Sequence, residues 1–294
     1  MRRTGKLAIL VALGLLAGCG PKLDGLEKGE KGRVAQVLDG DTLLLDGGLR
    51  VTLTGIEAPF GDQPFAREAR AGLERLALHR PALLAYGGVK RLPARTPKAQ
   101  PVDGASGTPS PAPPPAEPPR SETALAQVFA QSEGGRWIWV QQAMVQEGLA
   151  RVRTRKENHA RAAELLAAEA QARRARRGLW GQAAYRVLTA EAAIAKAADL
   201  PSRCGQGPFW VVEGTVRDVS ATPERVYLNF GADYRSDFTV AVYGEDVADW
   251  TGDQHGPAFE SYEGRKVRVR GRAANRGGPL ICADHPAQIE MLEG

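Results

Sequence analysis

The sequence predicts a mainly β fold with helices, of the α+β class, built as two β domains in one chain of 294 residues. Two sets of strand-like segments, each about five in number, support this prediction, and a stretch of different character separates them. Hydrophobic residues make up 43% of the chain and charged residues 25%, which is ordinary for a globular protein. The length also fits about two domains.

Charge is distributed unevenly between the two predicted domains. The whole chain carries a formal net charge of +5. Residues 31–200 hold 24 basic and 17 acidic side chains, whereas residues 208–294 hold 9 basic and 14 acidic ones. The first region is therefore suited to face a polyanion such as nucleic acid, and the second region is not built to bind phosphate.

The chain begins with a segment, residues 1–18, that is typical of an export signal, because basic residues precede an apolar run. The run at residues 7–16 is too short to span a bilayer. It leads into Leu-Ala-Gly-Cys19, which resembles the lipobox of bacterial lipoproteins, where the Cys becomes the lipidated first residue. That resemblance implies a lipid anchor at Cys19 and a place in the cell envelope, with Gly20 favouring the outer membrane if the cell has one. An ordinary signal peptide with an incidental Cys is the alternative.

The two other cysteines, Cys204 and Cys282, fall near the start and the end of the second predicted domain. An exported compartment permits a disulfide between them, and such a bond would staple the ends of that domain together. Two free buried thiols are the alternative, because spacing along the chain does not set the distance between two Cα atoms.

The first domain is expected over residues 31–182, after a short polar tether at residues 19–30. Its strand signals are short runs rich in Val, Leu and Thr, and an Asp-Gly-Gly turn between two of them is typical of a hairpin. Residues 65–79 predict a helix because their apolar side chains fall on one face. The segments predicted as strands are residues 33–37, 42–45, 50–56, 81–86 and 124–129.

An insertion at residues 92–121 interrupts this domain. It contains the run TPSPAPPPAEPP and almost no large apolar side chains. Such a composition cannot bury enough surface to fold, so we expect an extended, disordered excursion that a broad protease cuts first.

Two further helices are predicted after the insertion. One lies within residues 137–149, and the other lies within residues 163–180 and is stopped by Gly178. Four arginines crowd the end of the second helix, where cations suit the helix dipole. They are either a solvated helix end or a contact for a polyanion. The four are Arg173, Arg174, Arg176 and Arg177.

Residues 183–207 are predicted to link the domains, with a helix over residues 183–200 that ends before Pro201. The second domain, residues 208–291, shows five strand-like segments. Their sequences are FWVVEGTVRDV, RVYLNFG, DFTVAVYG, GRKVRVRGRAA and PLICADHPAQIEML.

The fourth of these segments alternates strictly. Its run VRVRG, residues 267–271, predicts valines that face the core and arginines, Arg268 and Arg270, that face outward. A short helix is predicted between the third and fourth strands, at residues 247–250 or 259–262.

Four segments, taken in order, resemble the staphylococcal nuclease (thermonuclease-like) family. The resemblance covers residues 31–182 and implies a five-stranded oligonucleotide-binding barrel packed with helices, and calcium-assisted hydrolysis of DNA or RNA. The second domain, with a helix after its third strand, resembles the same barrel pattern but carries no functional signature. The four segments are LDGDTLLL, LTGIEAP, MVQEGLARV and AEAQARRARRGLW.

The resemblance implies a weakly bound Ca²⁺ held by carboxylates from two neighbouring strands. Asp41 stands at the family's first calcium carboxylate, and Glu57 stands at the second, which is normally Asp. Thr42 matches the Thr that follows the first Asp. For Asp41 alone, a structural turn aspartate is the alternative.

Three other family positions have changed. Phe60 stands where the family has its catalytic Glu, and Thr52 and Thr123 stand where it has two arginines that clamp the phosphate. Without the base and the clamps, little of the catalytic apparatus remains. We therefore expect a degenerate site, and the alternative is a site rebuilt from other residues. The candidates for rebuilding are Arg50, Asp62, Glu68 and Arg120.

Two functions follow from these observations. In the first, an anchored protein keeps the nuclease barrel to bind nucleic acid or to recognise an envelope protein. In the second, the chain is an active calcium-dependent nuclease at the cell surface. The altered catalytic positions favour the first function, and the pair Asp41 and Glu57 keeps the second open.

Overall fold

A computed structural model describes residues 20–92, 122–251 and 256–292. The predicted export signal, Cys19 and all but the first residue of the Pro-rich insertion lie outside these described residues. Within them, no helix is long and apolar enough to cross a membrane. The mixed α and β class predicted from the sequence is confirmed.

The first half of the chain contains nine strands and three α-helices among the described residues. In chain order they are β1 (Glu27–Val37), β2 (Thr42–Leu45), β3 (Arg50–Leu53), β4 (Gly55–Glu57), α1 (Ala66–Ala77), β5 (Pro81–Tyr86), β6 (Arg91–Leu92), β7 (Thr123–Gln131), β8 (Trp137–Trp139), α2 (Val140–Gln146), β9 (Arg151–Arg153) and α3 (Ala162–Arg174).

Five of these strands close into the first barrel. β1 pairs antiparallel with β2 and with β5, β2 pairs with β3, and β5 pairs with β7. A parallel pairing between β3 and β7 completes the ring. Closure leaves no free edge in the ring, so each of the five strands is hydrogen-bonded on both sides. This closed five-stranded barrel with packed helices is the fold that the sequence resemblance implied.

The core of the first barrel joins its strands to all three helices. Leu43 and Val51 face each other across the β2–β3 hairpin, and both are fully buried. Leu73 of α1, Met144 of α2 and Leu165 of α3 are also fully buried in the same cluster. Burying each of these large apolar side chains contributes about 1.5–3 kcal/mol. The helices are therefore fixed against the barrel, and with them the loops that surround the candidate site.

The polar tether predicted at residues 19–30 is shorter than expected. β1 begins at Glu27, and Glu27 pairs with Tyr86 at the far end of β5. Leu26, just before the strand, is buried in the core. This polar stretch forms a strand because it pairs with β5, and the hydrogen bonds between two strands need only backbone groups.

The second half of the chain contains eight strands and two α-helices among the described residues. They are β10 (Leu188–Thr189), α4 (Ala190–Ile194), β11 (Phe209–Thr215), β12 (Asp218–Thr222), β13 (Arg225–Asn229), β14 (Thr239–Tyr243), α5 (Glu245–Thr251), β15 (Lys266–Asn275), β16 (Pro279–Cys282) and β17 (Ile289–Met291).

Six of these strands form one sheet of the second domain, which we call the second barrel after the fold predicted from the sequence. They are ordered β11-β15-β16-β14-β13-β12, and β14 and β16 run parallel. β11 and β12 stand at opposite ends of this order, yet only two residues separate them along the chain. The sheet must therefore curl strongly, although among the described residues β11 pairs with β10 and β15 rather than with β12. Helix α5 follows β14, which lies in the third predicted segment, and a 3-10 turn at Phe259–Tyr262 follows the helix. Both predicted sites for a helix are therefore helical.

The predicted helix over residues 183–200 is wrong. This stretch contains a 3-10 turn at Ala183–Tyr185, the short strand β10 and then the five residues of α4. The side chain of Thr189 accepts a hydrogen bond from the Ala192 N–H, so it caps α4 and stops the helix from starting earlier. β10 pairs in parallel with β11 and joins the sheet of the second barrel.

The structure joins Cys204 and Cys282 in a disulfide whose Cα atoms are 5.8 Å apart. Cys204 precedes β11, and Cys282 ends β16. The bond therefore ties the segment that enters the second barrel to one of its central strands.

Candidate functional site

Asp41 lies in the turn between β1 and β2, where four hydrogen bonds hold it, one of them from the Leu53 N–H to its backbone carbonyl at 2.8 Å. Its backbone N–H donates to the Asp39 carboxylate at 3.0 Å, so Asp39 shapes the turn. The Asp41 carboxylate accepts from the Thr42 hydroxyl at 3.1 Å and from the Ala58 N–H at 3.2 Å. Asp41 is thus placed against the residue that follows Glu57, at one end of the first barrel.

Burial, together with the negative charge of Asp39, raises the pKa of Asp41 to about 7. The hydrogen bond from the Ala58 N–H opposes this rise, because it favours the charged form. Asp41 is therefore roughly half protonated near neutral pH. A protonated carboxyl is a poor ligand for a hard cation, which needs ionised oxygens.

Glu57 is buried at the end of β4 and surrounded by three arginines. Arg153 Nη1 donates to Glu57 Oε2 at 2.6 Å, and Arg272 Nη2 donates to the same oxygen at 3.0 Å. Arg151 Nη2 lies 3.6 Å from Glu57 Oε1. We name these four residues the Glu57 cluster. One carboxylate faces three guanidinium groups, so the cluster carries an excess of about two positive charges.

The arginines of the Glu57 cluster reach it from both halves of the chain. Arg151 and Arg153 lie on β9, which pairs antiparallel with β4 and sets Arg151 opposite Glu57. Arg151 Nη1 also donates to the Phe209 carbonyl, at the start of β11. Arg272 belongs to β15 of the second barrel. The second barrel therefore supplies part of the site.

Sequence reasoning missed this cluster, although two signals were present. The runs ARVR at residues 150–153 and RVRGR at residues 268–272 place arginines on alternate positions of a strand. That spacing puts the side chains on one face, but it does not say what covers the face. The prediction that Arg270 faces outward into solvent is wrong. Arg270 is fully buried against Glu169 of the first barrel, to which it donates a hydrogen bond of 2.7 Å.

The residues around Asp41 and Glu57 do not fit a calcium ion. Calcium takes six to eight oxygen ligands, and both Glu57 oxygens already face arginines. A cation placed there would meet three guanidinium groups. Among the residues that the structure describes, no group of three or more His, Cys, Asp or Glu side chains is arranged to hold a metal. The set Asp41, Glu57 and Thr42 stays a prediction that this geometry does not support.

The three changed catalytic positions differ in their surroundings. The side chain of Phe60 is 53% exposed, and its backbone N–H donates to Gln63 Oε1 at 3.3 Å. Its aromatic ring can neither accept a proton nor orient a water molecule as a carboxylate would. Thr52 lies inside the barrel wall between β2 and β7, and Thr123 starts β7 opposite Arg50. Neither threonine can supply the positive charge of an arginine.

The residues named for a rebuilt site lie in different places. Arg50, Asp62 and Glu68 are exposed, and Arg120 lies outside the described residues. Asp62 and Glu68 line a small surface pocket of about 290 Å³ beside the start of α1. In the basic end of α3, Arg173 is paired with Glu169. Asp62 and Glu68 thus share one exposed pocket with Arg67, which neither Arg50 nor Arg173 lines.

The closed five-stranded barrel with packed helices places the first half of the chain in a nuclease-like class of domain. A family model described as staphylococcal nuclease homologue matches residues 115–182, which run from the insertion through β7 and α3 to the turn that holds Trp180. No curated protein matches the chain. The barrel and this match together show that the first half of the chain forms a staphylococcal-nuclease-like domain.

Proposed function

We propose that this protein is an exported lipoprotein, anchored through Cys19, whose nuclease-like domain binds a ligand and does not hydrolyse it. One observation carries the proposal. Glu57, which stands at the family's second calcium carboxylate, is held by Arg151, Arg153 and Arg272. The chain's own arginines take the place that a cation would need.

The size of the expected catalytic loss supports this proposal. Removing one well-placed group that stabilises the transition-state charge lowers the rate about 10²–10³-fold. Losing a general base lowers it about 10²–10⁴-fold. Phe60, Thr52 and Thr123 remove the base and both charge-stabilising groups, and the Glu57 cluster adds the loss of the cation. These losses are not additive, but little of the family's mechanism is left.

The same arginines favour binding of an anionic group. Glu57 neutralises one of the three positive charges around it, and the side chains of Arg153 and Arg272 are each 25% exposed. An exposed guanidinium can donate two parallel hydrogen bonds to a phosphate. We infer that a phosphate of nucleic acid is the ligand that the Glu57 cluster suits best, with an acidic envelope protein as the alternative partner.

The active nuclease remains a second candidate because the matched family favours it. The chain from Gly20 onward should be incubated with labelled single- and double-stranded DNA, in Ca²⁺ or in EDTA. We expect binding that Arg153→Ala weakens, and no cleavage that depends on Ca²⁺. The active candidate predicts Ca²⁺-dependent cleavage that is lost in Asp41→Ala and kept in the exposed control Asp199→Ala, and that result would overturn our proposal.

A gain-of-function variant separates two obstacles to catalysis, which are the changed catalytic side chains and the arginines around Glu57. The double variant Phe60→Glu, Thr52→Arg restores the side chains that the family uses at two positions. We expect it to stay inactive in Ca²⁺, because Glu57 is still held by its arginines. Activity in this double variant would show that the Glu57 cluster does not block a cation.

The anchor has a separate test. Expressed with residues 1–18, the wild-type chain should incorporate a labelled fatty acid, and Cys19→Ser should not. Equal labelling of both chains would contradict the anchor at Cys19.

A further inference from the structure

A cleft of about 520 Å³ opens on the outer face of the second barrel, away from the Glu57 cluster. Its floor is formed by outward side chains of β12, β13, β14 and β16. Asn229 stands opposite Asp218 on one side and Thr239 on the other, while Tyr227 stands opposite Ser220 and Ala241. Four adjacent strands thus present one continuous polar and aromatic surface.

Tyrosine rings and one arginine form the walls of this cleft. The rings of Tyr227 and Tyr243 lie edge to face, with centroids 6.0 Å apart. The Arg276 guanidinium lies 5.7 Å from the centre of the Tyr243 ring, and its Nε donates to the Ser202 carbonyl at 3.0 Å. Tyr234, on the loop between β13 and β14, is 64% exposed and lines the mouth. Aromatic rings at this density offer flat surfaces for a ligand to stack on.

The cleft offers both hydrogen-bond donors and hydrogen-bond acceptors. Carboxylate oxygens of Asp218 and Asp237 accept, and the Arg276 guanidinium donates. Asn229 Nδ2 donates to Asp218 Oδ2 at 3.1 Å, which fixes that carboxylate at the edge of the floor. Hydroxyl groups of Ser220, Thr239 and the tyrosines can do either. Burial raises the pKa of Tyr243, so its phenol stays a donor at neutral pH.

The charges of the cleft decide between two classes of ligand. The two classes are a polyanion such as an oligonucleotide and a neutral chain such as an oligosaccharide. Two carboxylates face one guanidinium here, and residues 208–294 carry five more acidic than basic residues. A phosphodiester backbone would be repelled, because binding to it depends on excess positive charge. A neutral chain rich in hydroxyl groups would not be repelled, and its hydroxyls match the mixed donors and acceptors.

We propose that this cleft, between Tyr227, Tyr243 and Tyr234, is a binding site for a neutral oligosaccharide. The sugar's apolar faces stack on the tyrosine rings, and its hydroxyl groups bond to Asp218, Asn229 and Arg276. The second barrel therefore has its own ligand, which differs in charge from the ligand proposed for the first barrel.

Binding should be screened first on an array of neutral and acidic glycans, and then measured by calorimetry with neutral tetrasaccharides of glucose and of N-acetylglucosamine, using the chain from Gly20 onward. Tyr234→Ala and Asp218→Asn alter exposed side chains, so the fold should be kept. We expect each to weaken binding of the best neutral sugar about fivefold or more, the effect of one hydrogen bond or stacking contact. Glu263→Gln, an exposed carboxylate outside the cleft, should leave the affinity unchanged.

Three results would overturn the proposal. The first is an array without any neutral glycan bound. The second is neutral sugar binding that Tyr234→Ala and Asp218→Asn leave unchanged, which would place the sugar elsewhere. The third is a single-stranded DNA 12-mer that binds the wild type and loses affinity in Asp218→Asn, which would assign the cleft to nucleic acid. The DNA cleavage assay tests the site on the first barrel, so its outcome does not decide whether the cleft of the second barrel binds a sugar.

Discussion

At the scale of single residues, the electrostatic surroundings of two carboxylates distinguish this site from an ordinary calcium centre. Asp41 lies close in space to the backbone beside Glu57, since its carboxylate accepts from the N–H of Ala58. Their side chains nevertheless belong to different environments. Glu57 is balanced by three arginines, whereas Asp41 lies beside Asp39 and its pKa rises to about 7. Opposite charges surround the first, whereas burial beside a like charge moves the second toward its neutral form.

Asp41 should make the protein less stable as the pH rises. Its pKa is about 7 in the folded chain and about 3.8 in an unstructured one, so the folded chain binds more protons between these values. The free energy of unfolding therefore falls as the pH rises from about 4 to 7. We expect Asp41→Asn to raise Tm relative to wild type at pH 8, and to have little effect near pH 3.5, in a thermal melt monitored by circular dichroism.

The control for this prediction is the exposed Asp199→Asn, whose effect on Tm should not change with pH. A wild-type Tm that rises at pH 8 on addition of Ca²⁺, and does not rise in Asp41→Asn, would instead show that a cation is bound at this carboxylate.

At the scale of one element, β15 joins the two barrels. Val267 and Val269 are fully buried in the core of the second barrel, as their alternation predicts. Arg268, Arg270 and Arg272 lie on the other face, which packs partly on the first barrel. Arg270 donates to Glu169 and to Glu290, and Glu169 is itself fully buried on α3. A single strand thus provides a hydrophobic face for its own barrel and a charged face for its neighbour.

Breaking the buried pair should be costly. Arg270→Met leaves Glu169 buried with one partner fewer, and the loss of one side of a buried ion pair typically costs about 3–5 kcal/mol. We expect a decrease of this size in the free energy of unfolding in urea. Adding Glu169→Gln should recover part of it, because the unpaired charge is then removed. The exposed Lys266→Met on the same strand should change stability by less than about 0.5 kcal/mol.

A decrease below about 1 kcal/mol in Arg270→Met would argue that water reaches this pair, and would contradict the buried contact between the barrels.

At the scale of the whole molecule, several polar contacts tie the two barrels together, and at three places they join opposite charges. Arg272 bonds to Glu57, and Arg270 bonds to Glu169. A third contact lies at the loop after β9, where Lys156 Nζ is 2.8 Å from Asp246 and 2.5 Å from Asp249 on α5. Each barrel thus satisfies charges that the other has buried. We infer that neither barrel is independent of the other in stability.

The described chain should therefore unfold in a single cooperative transition. Calorimetry of the chain from Gly20 onward should give equal calorimetric and van't Hoff enthalpies. The double variant Cys204→Ser, Cys282→Ser opens a loop of 78 residues, which the chain-entropy argument values at about 4–5 kcal/mol. We expect that variant to lower the Tm of the whole transition, even though the disulfide lies in one barrel. Two resolved transitions in the wild type, or in this variant alone, would show that the barrels unfold separately.

The sequence by itself determined the elements and the class of the fold. Alternating and continuous apolar runs predicted most strands of both barrels, and the order of four short segments indicated the nuclease-like barrel. The inward valines of β15 were also readable, because a period of two decides which face of a strand each side chain takes. The structure of residues 183–200 was not readable from the sequence. Their high alanine content favours a helix, but the cap at Thr189 and the pairing of β10 with β11 limit the helix to α4.

Only the tertiary structure decided what the charged side chains face. Glu57 and Arg272 are 215 residues apart along the chain, and no local pattern relates them. Spacing places Arg268, Arg270 and Arg272 on one face of a strand, but whether that face meets water or another barrel depends on how the two barrels pack. A carboxylate that the sequence assigns to a cation is instead neutralised by arginines, because the energy of a charge depends on its neighbours in space and on how far water is excluded.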